Sequence, residues 1–318
     1  MSDYLNKKIL LVGAGQMAVD YYKVLEALHC DVTTIGRSES SALIFQQKTG
    51  SKITTGGIEQ FLQKNTIAFD AVIIAVGMEQ LAPTAIQVIK SGARTILIEK
   101  PAGLNGNEIT ELALTANQYN ATVLVAYNRR FYSSVLKAKE VIENDGGVTS
   151  FNFEFTEWAH TIEPLDKKPG IKENWLLANS THVIDLAFYL GGKPSVINCF
   201  ASGKLSWHNK AVFAGAGITQ DDVLFSYQAN WAAPGRWGVE ILTKNSRLIL
   251  RPLEELQIQL KGSVAINKVD LENSIDLQYK PGLFLQTKQF LNGIFSEFKT
   301  IGEQVEMLVI YDKIAQGN

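Results

Sequence analysis

Three stretches of this sequence place residues that can bind or react with a small molecule at the ends of apolar runs. The first is Gly13-Ala14-Gly15-Gln16-Met17-Ala18, a G-x-G-x-x-A pattern between the run Ile9–Val12 and a helical pattern. There Gly13 permits a tight turn, Gly15 lets the backbone approach a pyrophosphate, and Ala18 is small enough for helix-on-strand contact. The phosphates would meet unpaired N–H groups at a helix N-terminus. The chemistry implied is dinucleotide binding, with Gln16 and Met17 in the same loop. The next strand tip decides which dinucleotide. An acidic residue there would accept from a ribose 2′-OH, but the chain offers Gly36, Arg37 and Ser38. Arg37 can pair with a 2′-phosphate and Ser38 can donate to it, so NADP is expected ahead of NAD. Glu39 keeps NAD open.

The second stretch, Ile96-Leu97-Ile98-Glu99-Lys100-Pro101-Ala102-Gly103, ends an apolar run in a charged pair. A strand emerging into water would also read this way, because charges are costly to bury. Beyond a dinucleotide loop it takes on a second meaning. Pro101 restricts the backbone of Lys100 to extended conformations, so the side chain is aimed reproducibly. Hydride removal from a carbinol carbon needs an acceptor for the hydroxyl proton, and a partly desolvated lysine beside a positive nicotinamide has its pKa lowered toward working pH. Lys100 is therefore expected as the acid/base. Ligands of open parallel sheets lie outside the carboxyl ends of strands, which adds Ala75, Gly77, Glu99 and Lys100 to the expected cofactor contacts.

The third stretch spaces Asn179, His182 and Asp185 three apart, on one helical face. His182 is expected as an assisting acid/base or hydroxyl ligand, oriented by Asn179 or Asp185; an ordinary polar pair supporting the helix is the competing reading. All five tryptophans and three of the four histidines fall in the second half. Aromatic faces beside polar groups suit a sugar ring. Trp158, His160, Trp175 and Arg236 border loops or strand ends and join Lys100, Asn179 and His182 as substrate candidates, whereas Trp207 and Trp231 are assigned to packing or an oligomer interface.

The elements that must position these groups are legible in outline. Near-continuous apolar runs at 9–12, 31–35, 70–76, 95–99 and 122–127 alternate with helical patterns at 16–28, 59–65, 80–91 and 107–120. That rhythm predicts a parallel sheet covered by helices on both faces. After a helix over 133–144, alternating stretches at 149–158, 196–205, 223–231 and 237–250 predict antiparallel strands with one buried face, interrupted by a helix over 179–192. A last helical run over 283–315 is expected to pack back on the first domain.

In order and spacing, Gly13–Ala18, Glu99–Gly103, Tyr127–Phe131 and His182–Gly192 resemble the Gfo/Idh/MocA oxidoreductases, named for glucose-fructose oxidoreductase and inositol 2-dehydrogenase. The resemblance spans nearly the whole chain, and the Glu-Lys-Pro triplet is its most specific part. It implies an α/β Rossmann domain followed by an α+β, mainly antiparallel open-sheet domain carrying substrate and oligomer contacts. It implies NAD(P)-dependent oxidation or reduction of sugars, sugar phosphates or nucleotide sugars, with Lys100 as the catalytic lysine. It allows a cis Lys100–Pro101 bond and places Asn128 and Arg129 near the nicotinamide and the substrate. One departure stands out. Many members carry a carboxylate four residues before the helix histidine, where this chain has Ala178.

Composition bounds the rest. A length of 318 residues fits two domains, read as 1–127 and 128–318, since single cores split beyond roughly 250 to 300 residues. A net charge of -2 without basic blocks argues against nucleic acid or an anionic membrane as the main ligand. Cys30 and Cys199 stand far apart with no metal-ligand spacing, so neither a disulfide framework nor a metal is expected. The N-terminal apolar stretch is too short for a signal-peptide core, and a cytoplasmic enzyme is expected. An uncovered sheet face would make it a homodimer or homotetramer. Two rival functions stay open: a redox-neutral conversion with tightly bound cofactor, and a non-catalytic NADP-dependent sensor.

Overall fold

The computed structural model describes residues 7–66 and 68–318; the part of the N-terminal reading that falls on Met1–Asn6 lies outside them. In chain order the strands are β1 (Lys8–Val12), β2 (Asp31–Ile35), β3 (Ala71–Ile74), β4 (Thr95–Glu99), β5 (Thr122–Ala126), β6 (Val148–Glu154), β7 (Pro194–Ser202), β8 (Val212–Thr219), β9 (Leu224–Asn230), β10 (Gly238–Thr243), β11 (Ser246–Leu250), β12 (Gln257–Leu260), β13 (Ile266–Lys268) and β14 (Lys299–Thr300). The helices are α1 (Gln16–Ala27), α2 (Glu39–Thr49), α3 (Gly57–Lys64), α4 (Leu81–Lys90), α5 (Gly106–Gln118), α6 (Ser133–Asn144), α7 (Ala159–Ile162), α8 (Thr181–Gly191), α9 (Ser274–Gln278), α10 (Leu283–Leu291) and α11 (Ile301–Gln316).

The chain folds into two compact units. The first holds the residues up to Asn128 together with Ile275–Glu306; the second holds Arg129–Ser274 and Met307–Asn318. The first unit is a Rossmann sheet in the order β14-β5-β4-β3-β1-β2, with β1 to β5 parallel and β14 antiparallel to β5. Ile9, Leu10, Leu11, Ile73, Ile96 and Leu97 are fully buried, as strands covered on both faces require. The chain leaves β1 for β2 on one side and returns to β3 on the other, so the strand order reverses at β1, where open α/β sheets bind ligands.

The second unit is an eight-stranded sheet, β13-β12-β11-β10-β6-β9-β8-β7, antiparallel except for the β6–β9 pair. Helix α8 covers one face. Phe188 meets Phe151, Phe153 and Phe225 with ring centres 6.0, 5.5 and 5.1 Å apart. The fit is close enough that a methyl group on Gly191 would stand 2.4 Å from the Phe151 ring.

Several elements differ from the expectations, each for a local reason. The stretch 237–250 is two strands, because Lys244 and Asn245 make a hairpin turn closed by the Thr243 hydroxyl, which receives the backbone N–H groups of Asn245 and Ser246. Strand β8 has no expected counterpart. Gly215 and Gly217 hide it, and they are required there: a Cβ on Gly217 would lie 2.1 Å from the Val196 carbonyl oxygen. Helix α2 escaped notice because its sequence leaves Leu43 and Ile44 on the surface and forms no clean apolar stripe. The final helical run is interrupted at Asn292-Gly293, and β14 adds a sixth strand to the first sheet before α11 begins. Among the described residues no helix is long and apolar enough to cross a membrane.

Candidate functional site

In the first unit, the carboxyl ends of β1, β2 and β3 open on a cleft of about 820 Å³. Gly13, Gly15, Gln16, Met17, Arg37, Ser38, Ala75 and Gly77 line it, so the structure brings these expected cofactor contacts together. Gly13 has a φ of +139°, and a Cβ there would stand 2.2 Å from the Ala75 carbonyl oxygen. Nothing lies within 4 Å of a Cβ built on Gly15, which is the N-cap of α1 and supplies no side-chain cap. The cradle is therefore backbone, with open space and uncapped N–H groups where a diphosphate would sit. These residues fit a dinucleotide.

At the rim, Arg37 is exposed and Ser38 caps α2, its hydroxyl accepting from the Ser41 N–H. Glu39 does not line the cleft; its carboxylate accepts from the Thr55 hydroxyl at 3.1 Å. Ser41, Gly56, Glu59 and Gln87 also line it. Sequence reasoning missed them because they come from an unread helix and from side chains with no motif.

Glu99, Lys100 and Asn128 lie outside this cleft, at the carboxyl ends of β4 and β5. Register fixes those ends level with the others, since Ile74 pairs with Ile98 and Glu99 with Ala126. The segment carrying Lys100 is tied down from both sides. Glu99 accepts from the buried Tyr21 hydroxyl at 2.9 Å, and burial together with Glu99 raises the Tyr21 pKa. On the other side, the fully buried Gln304 donates to the Pro101 carbonyl at 3.1 Å and to the Tyr127 hydroxyl at 3.1 Å. The Lys100–Pro101 peptide is cis. Asn128 is buried and donates to the Pro281 carbonyl at 2.9 Å.

The second unit gathers several of its candidate side chains around Trp237, which sequence reasoning had not singled out. The His182 ring lies 6.0 Å from the Trp237 ring, the Arg129 guanidinium 4.8 Å and the Arg236 guanidinium 5.2 Å. Arg236 also stacks 4.8 Å over Trp158, whose indole N–H donates to the Gly235 carbonyl at 2.7 Å. Trp158 is 44% exposed and His160 stacks beside it, so both present surface. Trp175 is instead buried, edge-on to Trp207, which in turn stacks on Trp231.

The helix-face expectation resolves into two separate attachments. Asp185 receives Arg130 through both carboxylate oxygens at 2.8 Å; burial works against the guanidinium charge, and Asp185 outweighs it to raise the Arg130 pKa. Asn179 turns to a residue the sequence reading passed over, Glu157. This carboxylate is 2% exposed and accepts from Asn179 at 3.0 Å and from the Ser180 hydroxyl at 2.8 Å. Two consecutive residues reach one carboxylate where a π-helical turn, Leu176–Ser180, leads into α8, a geometry that recurs at functional sites. Burial raises the Glu157 pKa, opposed by the hydrogen bonds from Ser180 and Asn179. A buried acid thus stands near the helix histidine although Ala178 supplies none. No helical spacing announces it, because it comes from the segment after β6.

Residues 7–127 match the family model described as "Oxidoreductase family, NAD-binding Rossmann fold", that of the Gfo/Idh/MocA proteins. The chain is 26% identical over 136 residues to trans-1,2-dihydrobenzene-1,2-diol dehydrogenase from Mus musculus, a match spanning 42% of this chain and 40% of that relative's length. Among solved structures, levoglucosan dehydrogenase in complex with NADH and L-sorbose superposes with a TM-score of 0.79 at 19% identity, covering 98% of this chain and 96% of that one. UDP-N-acetylglucosamine 3-dehydrogenase from Acidithiobacillus ferrooxidans gives 0.74 at 14% identity, covering 98% and 97%. An oxidoreductase from Agrobacterium radiobacter, solved with NAD+, L-tartaric acid and magnesium, gives 0.78 at 12% identity, covering 98% and 96%. At these identities the structures establish a shared fold.

Proposed function

We propose that this protein, which carries the NAD-binding domain of the Gfo/Idh/MocA oxidoreductases, transfers a hydride between NADP and a carbinol or keto carbon of a sugar-type substrate. The observation that carries this reading is the backbone cradle at Gly13 and Gly15 together with a lysine held at the carboxyl end of β4, two strands away in the same sheet. The names of the similar proteins support it, because the dehydrogenases among them act on hydroxyl-bearing molecules by their own descriptions.

When bound, the nicotinamide supplies a hydride acceptor or donor. The residues around it have definable tasks. Gly13, Gly15 and the α1 N-terminus would hold the diphosphate. Arg37 would pair with a ribose 2′-phosphate while Glu39, held by Thr55, stays out of the cleft. Lys100 Nζ would accept the hydroxyl proton as the C–H electron pair leaves the carbinol carbon, and return it in the reductive direction. His182 would bind a substrate hydroxyl or assist that transfer. Trp158 would offer its exposed face to the C–H side of a sugar ring. Val196, Phe200 and Leu224 stand exposed on the second sheet and support assembly into a homo-oligomer.

The test is a screen of NADP+ and NAD+ reduction against neutral sugars, sugar acids, sugar phosphates and nucleotide sugars, read by the absorbance of the reduced nicotinamide. Turnover with at least one class, faster with NADP+, is the expected result. Absence of reduction with every class, in both directions, would count against the reading.

A further inference from the structure

Among the described residues, two stacked guanidiniums of the second unit make no close ion pair. Arg129 and Arg236 both stack on Trp237, at 4.8 and 5.2 Å, and among the described residues neither guanidinium makes a hydrogen bond or an ion pair. The Nε of Arg129 is buried without an acceptor. A buried guanidinium Nε of this kind ordinarily finds an acceptor, as that of Arg130 does in Asp185 of the same unit, whereas Arg236 is exposed. Two cations sharing one indole repel each other, and aromatic stacking offsets the desolvation of Arg129 only in part.

The nearby acids do not close the account. Glu157 and Glu254 reach Arg129 electrostatically and Glu157 also reaches Arg236, but neither acid makes a close ion pair with either arginine. Glu157 spends its oxygens on Asn179 and Ser180, and burial favours its neutral form. Burial also lowers the Arg129 pKa, with Arg236 acting in the same direction. A site that keeps two forked cations together in this way is suited to an anion that arrives from outside, because a guanidinium binds a carboxylate or a phosphate through two parallel hydrogen bonds.

We infer that Arg129 and Arg236 form an anion-binding subsite over Trp237, and that the substrate is a polyol or sugar bearing a negatively charged group. This deepens the oxidoreductase reading and rests on it only for the identity of the site. The shared chemistry is an oxyanion with at least two acceptor oxygens, whether the carboxylate of a sugar acid or the phosphate of a sugar phosphate. Trp158 supplies the adjoining apolar face for the ring, and its indole is held in place by Gly235.

The experiment titrates the full-length chain with D-glucuronate, D-glucose 6-phosphate and neutral D-glucose, with and without NADP+, following tryptophan fluorescence. One of the two acids is expected to bind more tightly than glucose, and which one identifies the anion. Arg236→Gln, an exposed position that leaves the core intact, and Arg129→Lys, which keeps the charge but loses the fork, are each expected to weaken that acid roughly 10- to 100-fold. Glucose should be insensitive to both. If neither acid binds more tightly than glucose, or if wild type and both variants bind the acids alike, the subsite is overturned. Hydride transfer is read separately on the same samples. Binding of an acid without transfer would count against the oxidoreductase reading and leave the subsite standing. Transfer from neutral polyols that ignores both arginines would do the reverse.

Discussion

In the first unit the candidate ligand-facing groups are largely backbone: Gly13 and Gly15 in one turn, the uncapped start of α1, and the chain at Ala75 and Gly77. In the second unit they are side chains, drawn from separated segments at Arg129, Glu157-Trp158, Asn179–His182 and Arg236-Trp237. A backbone cradle recognises what all dinucleotides share and tolerates little variation in the residues that build it. A side-chain cluster can be re-tuned one residue at a time, and it is where an unusual substrate leaves its mark. Ala178 stands where the family resemblance implies a carboxylate, and the buried Glu157 lies close by, bonded to Asn179 and Ser180.

If the division is right, substitutions should separate cofactor effects from chemistry. The largest effect belongs to Lys100. Lys100→Met keeps much of the stem but removes the ammonium, and kcat should fall by about 10² to 10⁴-fold with cofactor affinity unchanged. The wild-type rate should follow one ionisation that the variant loses, as pH–rate profiles of both would establish. Next comes Arg37. Direct titration of both cofactors should find NADP bound more tightly than NAD in the wild type, with the ratio reduced by roughly 10- to 100-fold in Arg37→Ala. His182→Asn should lower kcat by roughly tenfold, the scale of one hydrogen bond to a charged group, without altering NADP binding; unchanged turnover would make His182 a packing residue.

The smallest effect concerns Glu157. Burial raises its pKa above the ordinary 4.5, so the folded protein holds this proton more tightly than the unfolded chain does. Its stabilising contribution is complete below pH 4.5 and is lost as pH rises through the raised value. Glu157→Gln should remove that slope, changing stability by roughly 1 kcal/mol. Thermal melts of both proteins across the acid-to-neutral range would reveal parallel curves if Glu157 were a conventional solvated acid.

The same contrast explains what could be read from the chain alone. The Rossmann half was legible because its strands are continuous apolar runs and its cofactor loop is six adjacent residues, Gly13–Ala18. Lys100 was legible because Pro101 and the apolar run before it fix its place. Trp237 and Glu157 were not. Each gains its meaning from neighbours that are distant in sequence: His182 and Arg129 beside Trp237, and Asn179 and Ser180 on Glu157. The pairing of Asp185 with Arg130, 55 residues away, likewise lay beyond helical spacing. Strand β8 was lost for a different reason, since Gly215 and Gly217 dilute its pattern where neighbouring strands approach too closely for a side chain.

The most direct test of the division is a calorimetric titration of NADP+ into three proteins: wild type, Gly13→Ala and His182→Asn. A methyl group on Gly13 would collide with the Ala75 carbonyl at 2.2 Å in a backbone conformation with φ of +139°, so the cradle cannot close around it. The account predicts one saturable site per chain in wild type, the same affinity in His182→Asn, and loss of at least about 100-fold, some 2.7 kcal/mol, in Gly13→Ala while that variant remains folded. Equal NADP+ binding by wild type and a folded Gly13→Ala, or its loss in His182→Asn, would contradict it.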